Sequence, residues 1–452
     1  MIIKSGLPTI NIYLPKMKIL TILLITMFLL APLRYATITK AQFSAKDCSR
    51  TSTSTVPHIG VELIPLDAMS ANQYYPNSSH AKRQEGGLYG NGANSVEALP
   101  SHYQKAVNAV SEIIPRDANG NPDSVNGKIC VVSIGMSNTR REYNTFISKA
   151  NVDQAKSAKV QLVNTAQESM VASSWAKWGV PSQPDPDPWE GSNGFVSKIA
   201  SEGCSPHQVQ AAWIKLTNAN PQQPGSDDFP VYVENMYRNM TKVVTFLRQY
   251  SDVKVAYLST RMYGGYSLIQ LSPEPSVYES AFAMRWLIMD QLGTHQQDTS
   301  IVSDVPYADV TYDNAPVLLW GPYFWANGLI PRNDGLTWTC NDMASDGVHP
   351  EESAKQKISD RLLAFLKEDS LAKVWFTGSG ILPSITPSTA VTPTPGDTPG
   401  DGDGNGIVNG IDFIIWLTHY GQTVSGTNSG DYDGNGQIGI GDYLVWIGNY
   451  GS

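Results

Sequence analysis

The chain has 452 residues, a formal net charge of −9 from 32 basic and 41 acidic side chains, and only 16% charged residues. Phosphate backbones are held by clustered Lys and Arg; no such run is present, so nucleic acid is excluded as an expected partner. The 11 Trp and 21 Tyr suit either sugar-binding platforms or a packed interior.

The first element is a targeting segment. Lys18 precedes an apolar run, Ile19 to Leu33. That is shorter than the roughly 20 residues a membrane span needs, and it suits a secretory segment. Residues 1–41 are therefore expected to be a signal peptide cleaved near Ala41, with Met17 a second candidate start. Arg34 and Lys40 keep an uncleaved anchor open as the alternative. No second long apolar segment follows. The mature chain is expected to be secreted, extracellular or held at a cell surface, with no stable membrane span.

Residues 48–376 have mixed composition and regular apolar runs, and form the expected large domain. Residues 48–127 are rich in Gly, Asn and Ser, with one helix expected near Tyr103 to Ile114. Short apolar runs predict strands at Lys128 to Ile134, Lys159 to Val163, Val209 to Leu216, Val253 to Ser259 and Pro316 to Trp320. Helical periodicity covers Val233 to Tyr250, Tyr278 to Leu292 and Pro350 to Leu371, with Pro350 expected in the last helix's first turn. Strands alternating with helices imply an α/β domain on a parallel sheet, whose sites form at the carboxyl ends of the strands. Four cysteines allow three complete pairings. Loop-like settings favour Cys204 with Cys340, while Cys130 lies in an apolar run and suits a buried thiol.

Residues 377–400 are dominated by Thr, Pro, Ser and Gly and form a linker, since they cannot bury enough apolar surface to fold. Residues 401–452 hold two copies of one pattern at an offset of 30. A calcium ion takes six to eight oxygens, and a twelve-residue loop offers them at positions 1, 3, 5, 7, 9 and 12. The first copy supplies Asp401, Asp403, Asn405, the Ile407 carbonyl, Asn409 and Asp412. The second supplies Asp431, Asp433, Asn435, the Gln437 carbonyl and Asp442, with Gly439 at position 9. Gly406 and Gly436 stand at the sharp turn. Weaker binding is expected in the second loop, which lacks a side chain at Gly439. A short apolar helix follows each loop. Ligand spacing, turn glycine, trailing helix and duplication together resemble a type I dockerin. That resemblance implies a small all-α calcium-loop module and a cohesin-like protein partner.

Common catalytic signatures are missing: there is no G-x-S-x-G elbow, no H-E-x-x-H and no P-loop. One constellation remains. Asp346-Gly-Val-His349 stands before the domain's last helix, at a spacing that lets the carboxylate orient one imidazole nitrogen and leave the other as a base. Gly135-Met-Ser137-Asn138 ends the first strand, where a nucleophile would be presented. Asn218 follows a later strand, with Asn220 a competing choice, and its amide can donate to an oxyanion.

Ser, Asn and Asp-x-x-His in this order resemble the SGNH (GDSL-like) hydrolases. The resemblance implies a three-layer α/β/α flavodoxin-like fold and ester hydrolysis without a cofactor in that domain. Ser137 would be the nucleophile, His349 the base, Asp346 its orienter, and the Ser137 N–H with Asn218 the oxyanion hole. Two departures stand out: Gly-Met-Ser replaces Gly-Asp-Ser, and the stretch Val163 to Ser169 lacks the oxyanion glycine. Glu168 in that stretch would oppose an oxyanion. Arg261, Tyr263, Tyr323 and Trp325 follow strand candidates and are expected to contact substrate. The expected substrate is a carbohydrate ester such as an acetylated polysaccharide. A non-catalytic glycan-binding or surface-display protein on the same scaffold is the alternative. His58, His80, His102, His207, His295 and His419 have no partner at useful spacing and are expected to be solvated.

Overall fold

A computed structural model describes residues 46–48, 62–71, 73, 85–177, 187–218, 229, 231–267, 273–293, 310–378, 398–423 and 427–451. The expected signal peptide, His58, His80, His295, Asn220 and most of the linker lie outside them. No helix among the described residues is long and apolar enough to cross a membrane.

The five predicted strands are present: β1 (Ile129–Gly135), β2 (Val160–Val163), β3 (Val209–Lys215), β4 (Val255–Leu258) and β5 (Val317–Trp320). They form one sheet in the order β2-β1-β3-β4-β5, and every pairing is parallel. Every position of β1, β3, β4 and β5 is buried, the pattern of strands covered on both faces. The helices of the large domain are α1 (Pro100–Ser111), α2 (Ser137–Ala150), α3 (Ala172–Trp175), α4 (Phe195–Ser201), α5 (Val231–Tyr250), α6 (Ser276–Gln291), α7 (Glu352–Glu368) and α8 (Ala372–Phe376). Helix α2 packs on α7, and α5 packs on α6. The domain is thus α/β, a five-stranded parallel sheet with surrounding helices. The strand order reverses between β1 and β3, and a crevice at the carboxyl ends belongs at that reversal.

Three expectations change. Pro350 lies outside the first turn of α7: Glu351 is the N-cap, and Pro350 bridges Met343 in the loop before the helix. The disulfides are Cys48–Cys340 and Cys130–Cys204, so the Cys204–Cys340 pair does not form and Cys130 is not a free thiol. Cys204 leads into the amino end of β3, beside the start of β1 where Cys130 lies. Cys340 belongs to the loop after β5, near the opposite end of the strands. His102 is fully buried: its Nδ1 meets the Tyr312 hydroxyl and its Nε2 the Leu318 carbonyl, both at 2.8 Å. Burial lowers its pKa from the ordinary value, so the ring stays neutral. His207 pairs with Asp252 at 2.9 Å.

The C-terminal segment has its own small core of Val408, Trp416, Tyr432, Ile438 and Trp446. Its helices are α9 (Gly410–His419) and α10 (Ile440–Gly448), each starting inside the last third of an acidic loop. The two repeats grip each other reciprocally. Trp416 Nε1 donates to the Gly439 carbonyl at 2.7 Å, and Trp446 Nε1 donates to the Asn409 carbonyl at 2.8 Å.

Candidate functional site

Strand β1 delivers Ser137 to the carboxyl edge of the sheet. The strand ends at Gly135, Met136 caps the helix, and Ser137 is the first residue of α2. A Cβ on Gly135 would sit 2.3–2.5 Å from the Thr139 side chain, so only glycine lets the helix start this close to the strand. The positive end of the helix dipole falls at Ser137.

The partner loop arrives 212 residues later. His349 Nε2 lies 2.7 Å from Ser137 Oγ. His349 Nδ1 pairs with Asp346 Oδ2. Asp346 Oδ1 also accepts the backbone N–H groups of Val348 (2.8 Å) and His349 (2.9 Å). Burial works against the carboxylate, but the hydrogen bond and attraction of the His349 ring, together with these two N–H groups, outweigh it and hold Asp346 well below the usual carboxylate range. A charged Asp346 accepts the hydrogen bond from Nδ1–H, which keeps the proton on Nδ1 and leaves Nε2 to accept from Ser137. The loop closes through Gly347, whose φ is +73°. A Cβ there would lie 2.7 Å from the Tyr266 carbonyl oxygen. Ser137, His349 and Asp346 are therefore brought together, Asp346 with His349 as their spacing predicts and Ser137 by the fold.

Asn218 follows β3. Its Oδ1 accepts from Asn239 Nδ2 at 2.8 Å, which orients the amide and leaves the NH₂ end as the donor. In the loop after β2, the Gln167 N–H donates to the Gly135 carbonyl at 3.0 Å, pinning that loop beside the strand that carries Ser137. Ser169 takes a left-handed φ of 63°, a conformation more usual for glycine. Glu168 is offset by Arg140 at 3.0 Å and Arg141 at 3.8 Å, both on α2, so its charge does not face the site alone.

The four residues expected to contact substrate are buried: Arg261 is 3% exposed, Tyr263 1%, Tyr323 4% and Trp325 0%. Arg261 Nη2 donates to the Val348 carbonyl at 3.4 Å. The Tyr323 hydroxyl accepts from the Leu66 N–H at 3.2 Å, and Trp325 Nε1 donates to Glu274 at 2.8 Å. Tyr263 packs edge-on against Tyr266. These residues do follow strands, as expected, but the 62–71 and 340–349 segments pack over them. Arg261 backs the His349 loop, and the other three pack in the interior and do not form an open platform.

Two features escaped the sequence reading. Asn138, beside the serine, is fully buried and donates to the Val348 carbonyl at 2.8 Å. Lys215, at the end of β3, makes a fully buried ion pair with Glu142 of α2 at 2.7 Å. A lysine inside an otherwise apolar run, Ala211 to Leu216, is the signal that could have found that pair.

In the C-terminal segment the carboxylates of Asp401, Asp403 and Asp412 bring oxygens within 4.8 Å of one another, and those of Asp431, Asp433 and Asp442 do the same. Each loop is wound around its first and last acid. Asp401 accepts from the N–H groups of Gly404, Asn405 and Gly406; Asp412 accepts from those of Gly402, Asp403 and Asn409. In the second loop Asp442 accepts from Tyr432, Asp433 and Gly439. Gly406 and Gly436 have φ of 83° and 82°. Asp431 Oδ1 is buried without a hydrogen-bond partner among the described residues. Three converging acids and an orphaned carboxylate oxygen fit a hard, oxygen-seeking dication. Asn405 Oδ1 accepts from the Ile407 N–H, and Asn435 Oδ1 from the Gln437 N–H. Asn409 Oδ1 caps α9 through the Ile411 N–H at 2.8 Å. The oxygen behind the expected inequality of the loops is thus turned toward its own helix.

No protein-family model matches the chain, and no curated protein matches it.

Proposed function

We propose that the large domain is a secreted serine ester hydrolase of SGNH type on a flavodoxin-like α/β/α sandwich. The single observation that carries this reading is the continuous chain from Ser137 Oγ through His349 to Asp346. In the reaction Ser137 Oγ attacks the ester carbonyl while His349 Nε2 takes its proton. Asp346 stabilises the resulting imidazolium and holds its ring. His349 then returns the proton to the leaving alcohol, and water, deprotonated by the same nitrogen, releases the acid. The Ser137 N–H at the start of α2 and the Asn218 amide supply donors for the oxyanion. The substrates proposed are ester groups such as acetyls on a polysaccharide.

The C-terminal segment is proposed as a dockerin-like module that binds two calcium ions and docks on a cohesin-like protein. Asp401, Asp403, Asn405, Ile407 and Asp412 would hold one ion, and Asp431, Asp433, Asn435, Gln437 and Asp442 the other, while Asn409 caps α9. The ions would offset the converging carboxylates and lock the loops.

Hydrolysis of p-nitrophenyl acetate by wild type and Ser137→Ala tests the catalytic reading. A fall in kcat of about 10⁴-fold or more is expected. Equal rates would overturn it, and glycan binding that persists in Ser137→Ala without hydrolysis of any ester would select the non-catalytic alternative.

A further inference from the structure

The Ser137 and His349 loops touch through more than the catalytic hydrogen bond. Asn138 Nδ2 donates to the Val348 carbonyl at 2.8 Å, and Arg261 Nη2 approaches the same oxygen at 3.4 Å. That carbonyl and the His349 N–H belong to one peptide group. The N–H side donates to Asp346 Oδ1 at 2.9 Å. Asp346 in turn holds His349 Nδ1, and His349 Nε2 meets Ser137 Oγ. Ser137 is covalently joined to Asn138, so the set closes into a ring.

Two physical consequences follow. A donor on the carbonyl side of a peptide polarises it and strengthens the donation of its N–H, here toward Asp346. The ring also fixes the distance between the two loops that precede the packed helices α2 and α7. Asn138 is fully buried, and its Oδ1 has no hydrogen-bond partner among the described residues. A buried amide with one unmet acceptor is costly, and an apolar side chain of the same shape would be cheaper. The bond to Val348 is the return on that cost.

We infer that Asn138 is a positioning residue for the Ser137–His349–Asp346 triad, acting through the Val348–His349 peptide, with Arg261 as the second donor to that peptide. This rests on the esterase reading, because the reacting atoms are those of the triad. Asn138 touches no substrate. It fixes where His349 stands relative to the nucleophile.

Asn138→Asp keeps the side-chain shape and replaces the donor with an oxygen that repels the Val348 carbonyl. With p-nitrophenyl acetate, kcat should fall on the order of 10–100-fold with KM within about threefold, since a small misplacement of reacting groups costs that much. Arg261→Gln should give a smaller fall in the same direction. Circular dichroism and urea unfolding establish that each variant is folded; if Asn138→Asp does not fold, Asn138→Ser and Arg261→Gln carry the test. A structural role alone would lower stability and leave kcat of the folded fraction unchanged, and that result overturns the inference. The second readout needs no turnover. The downfield proton resonance of His349 Nδ1–H should move or broaden in Asn138→Asp while persisting in Ser137→Ala. If wild type hydrolyses no ester, the esterase reading fails by itself and this resonance decides the positioning role: an unchanged signal in Asn138→Asp overturns it.

Discussion

The two ends of this protein build polar sites in opposite ways. In the C-terminal segment each acidic cluster comes from a single stretch, Asp401 to Asp412 or Asp431 to Asp442, and the backbone wraps its own carboxylates. In the large domain Ser137 and His349 stand 212 residues apart and meet because β1 and the 340–349 segment end at the same edge of the sheet. The local site depends on neighbours in sequence and, on the proposed reading, on a bound cation to offset its charge. The distant one depends on the whole domain and on the covalent and hydrogen-bonded ties that hold two loops in register. The lesson is that the first should respond to ions and the second to anything that loosens the domain, with little crossover.

Calcium removal gives the largest expected effect. Chelation should unfold the C-terminal segment, seen as loss of the near-ultraviolet signal of Trp416 and Trp446, and calcium should restore it. Hydrolysis by the large domain should persist. Equal loss of both would break the comparison.

Next comes the Cys48–Cys340 disulfide, which ties a short N-terminal strap to the segment carrying Asp346 and His349. Lys46 Nζ on that strap donates to the Met343 carbonyl at 2.7 Å, and the Asp47 N–H to the Tyr266 carbonyl at 3.1 Å. A Cys48→Ser, Cys340→Ser variant should lose about 2–5 kcal/mol of large-domain stability in urea unfolding. The calcium response of the tail should not change.

Gly347→Ala should cost about 1–3 kcal/mol, because its φ of +73° and its approach to Tyr266 leave no room for a Cβ. Activity should fall with stability, since the loop that shifts carries His349.

The smallest effect concerns pH. Burial pushes Asp334 up, but its bonds to Arg332 win and lower its pKa to about 2. A carboxyl depressed on folding stabilises above its unfolded value near 4 and loses that contribution as pH falls from about 4 toward 2. Asp334→Asn should flatten this acid limb, read by unfolding midpoints at successive pH values. An unchanged limb would show that Asp334 contributes nothing there.

Much of both regions is legible in the sequence. All five strands match apolar runs in the sequence, because strands buried on both faces need continuous Val, Ile, Leu and Ala. The acidic loops were legible for a different reason: every ligand type and the turn glycine sit at a set spacing within twelve residues. The triad lay between these cases. Asp346 and His349 are three apart and announce themselves, whereas their meeting with Ser137 had to be supplied by strand order.

What the sequence alone determined is therefore local: strand and helix periods, the Asp346–His349 pairing and the acidic loops. Tertiary structure decided the rest. It set the disulfides, because cysteines pair by which end of the sheet they occupy. It buried Arg261, Tyr263, Tyr323 and Trp325, because segments far away in sequence pack over the strand ends. It placed Asn138 against Val348, because a contact across 210 residues exists only once two loops share an edge. Spacing along a chain encodes chemistry that neighbours perform together, and only packing encodes which distant groups become neighbours.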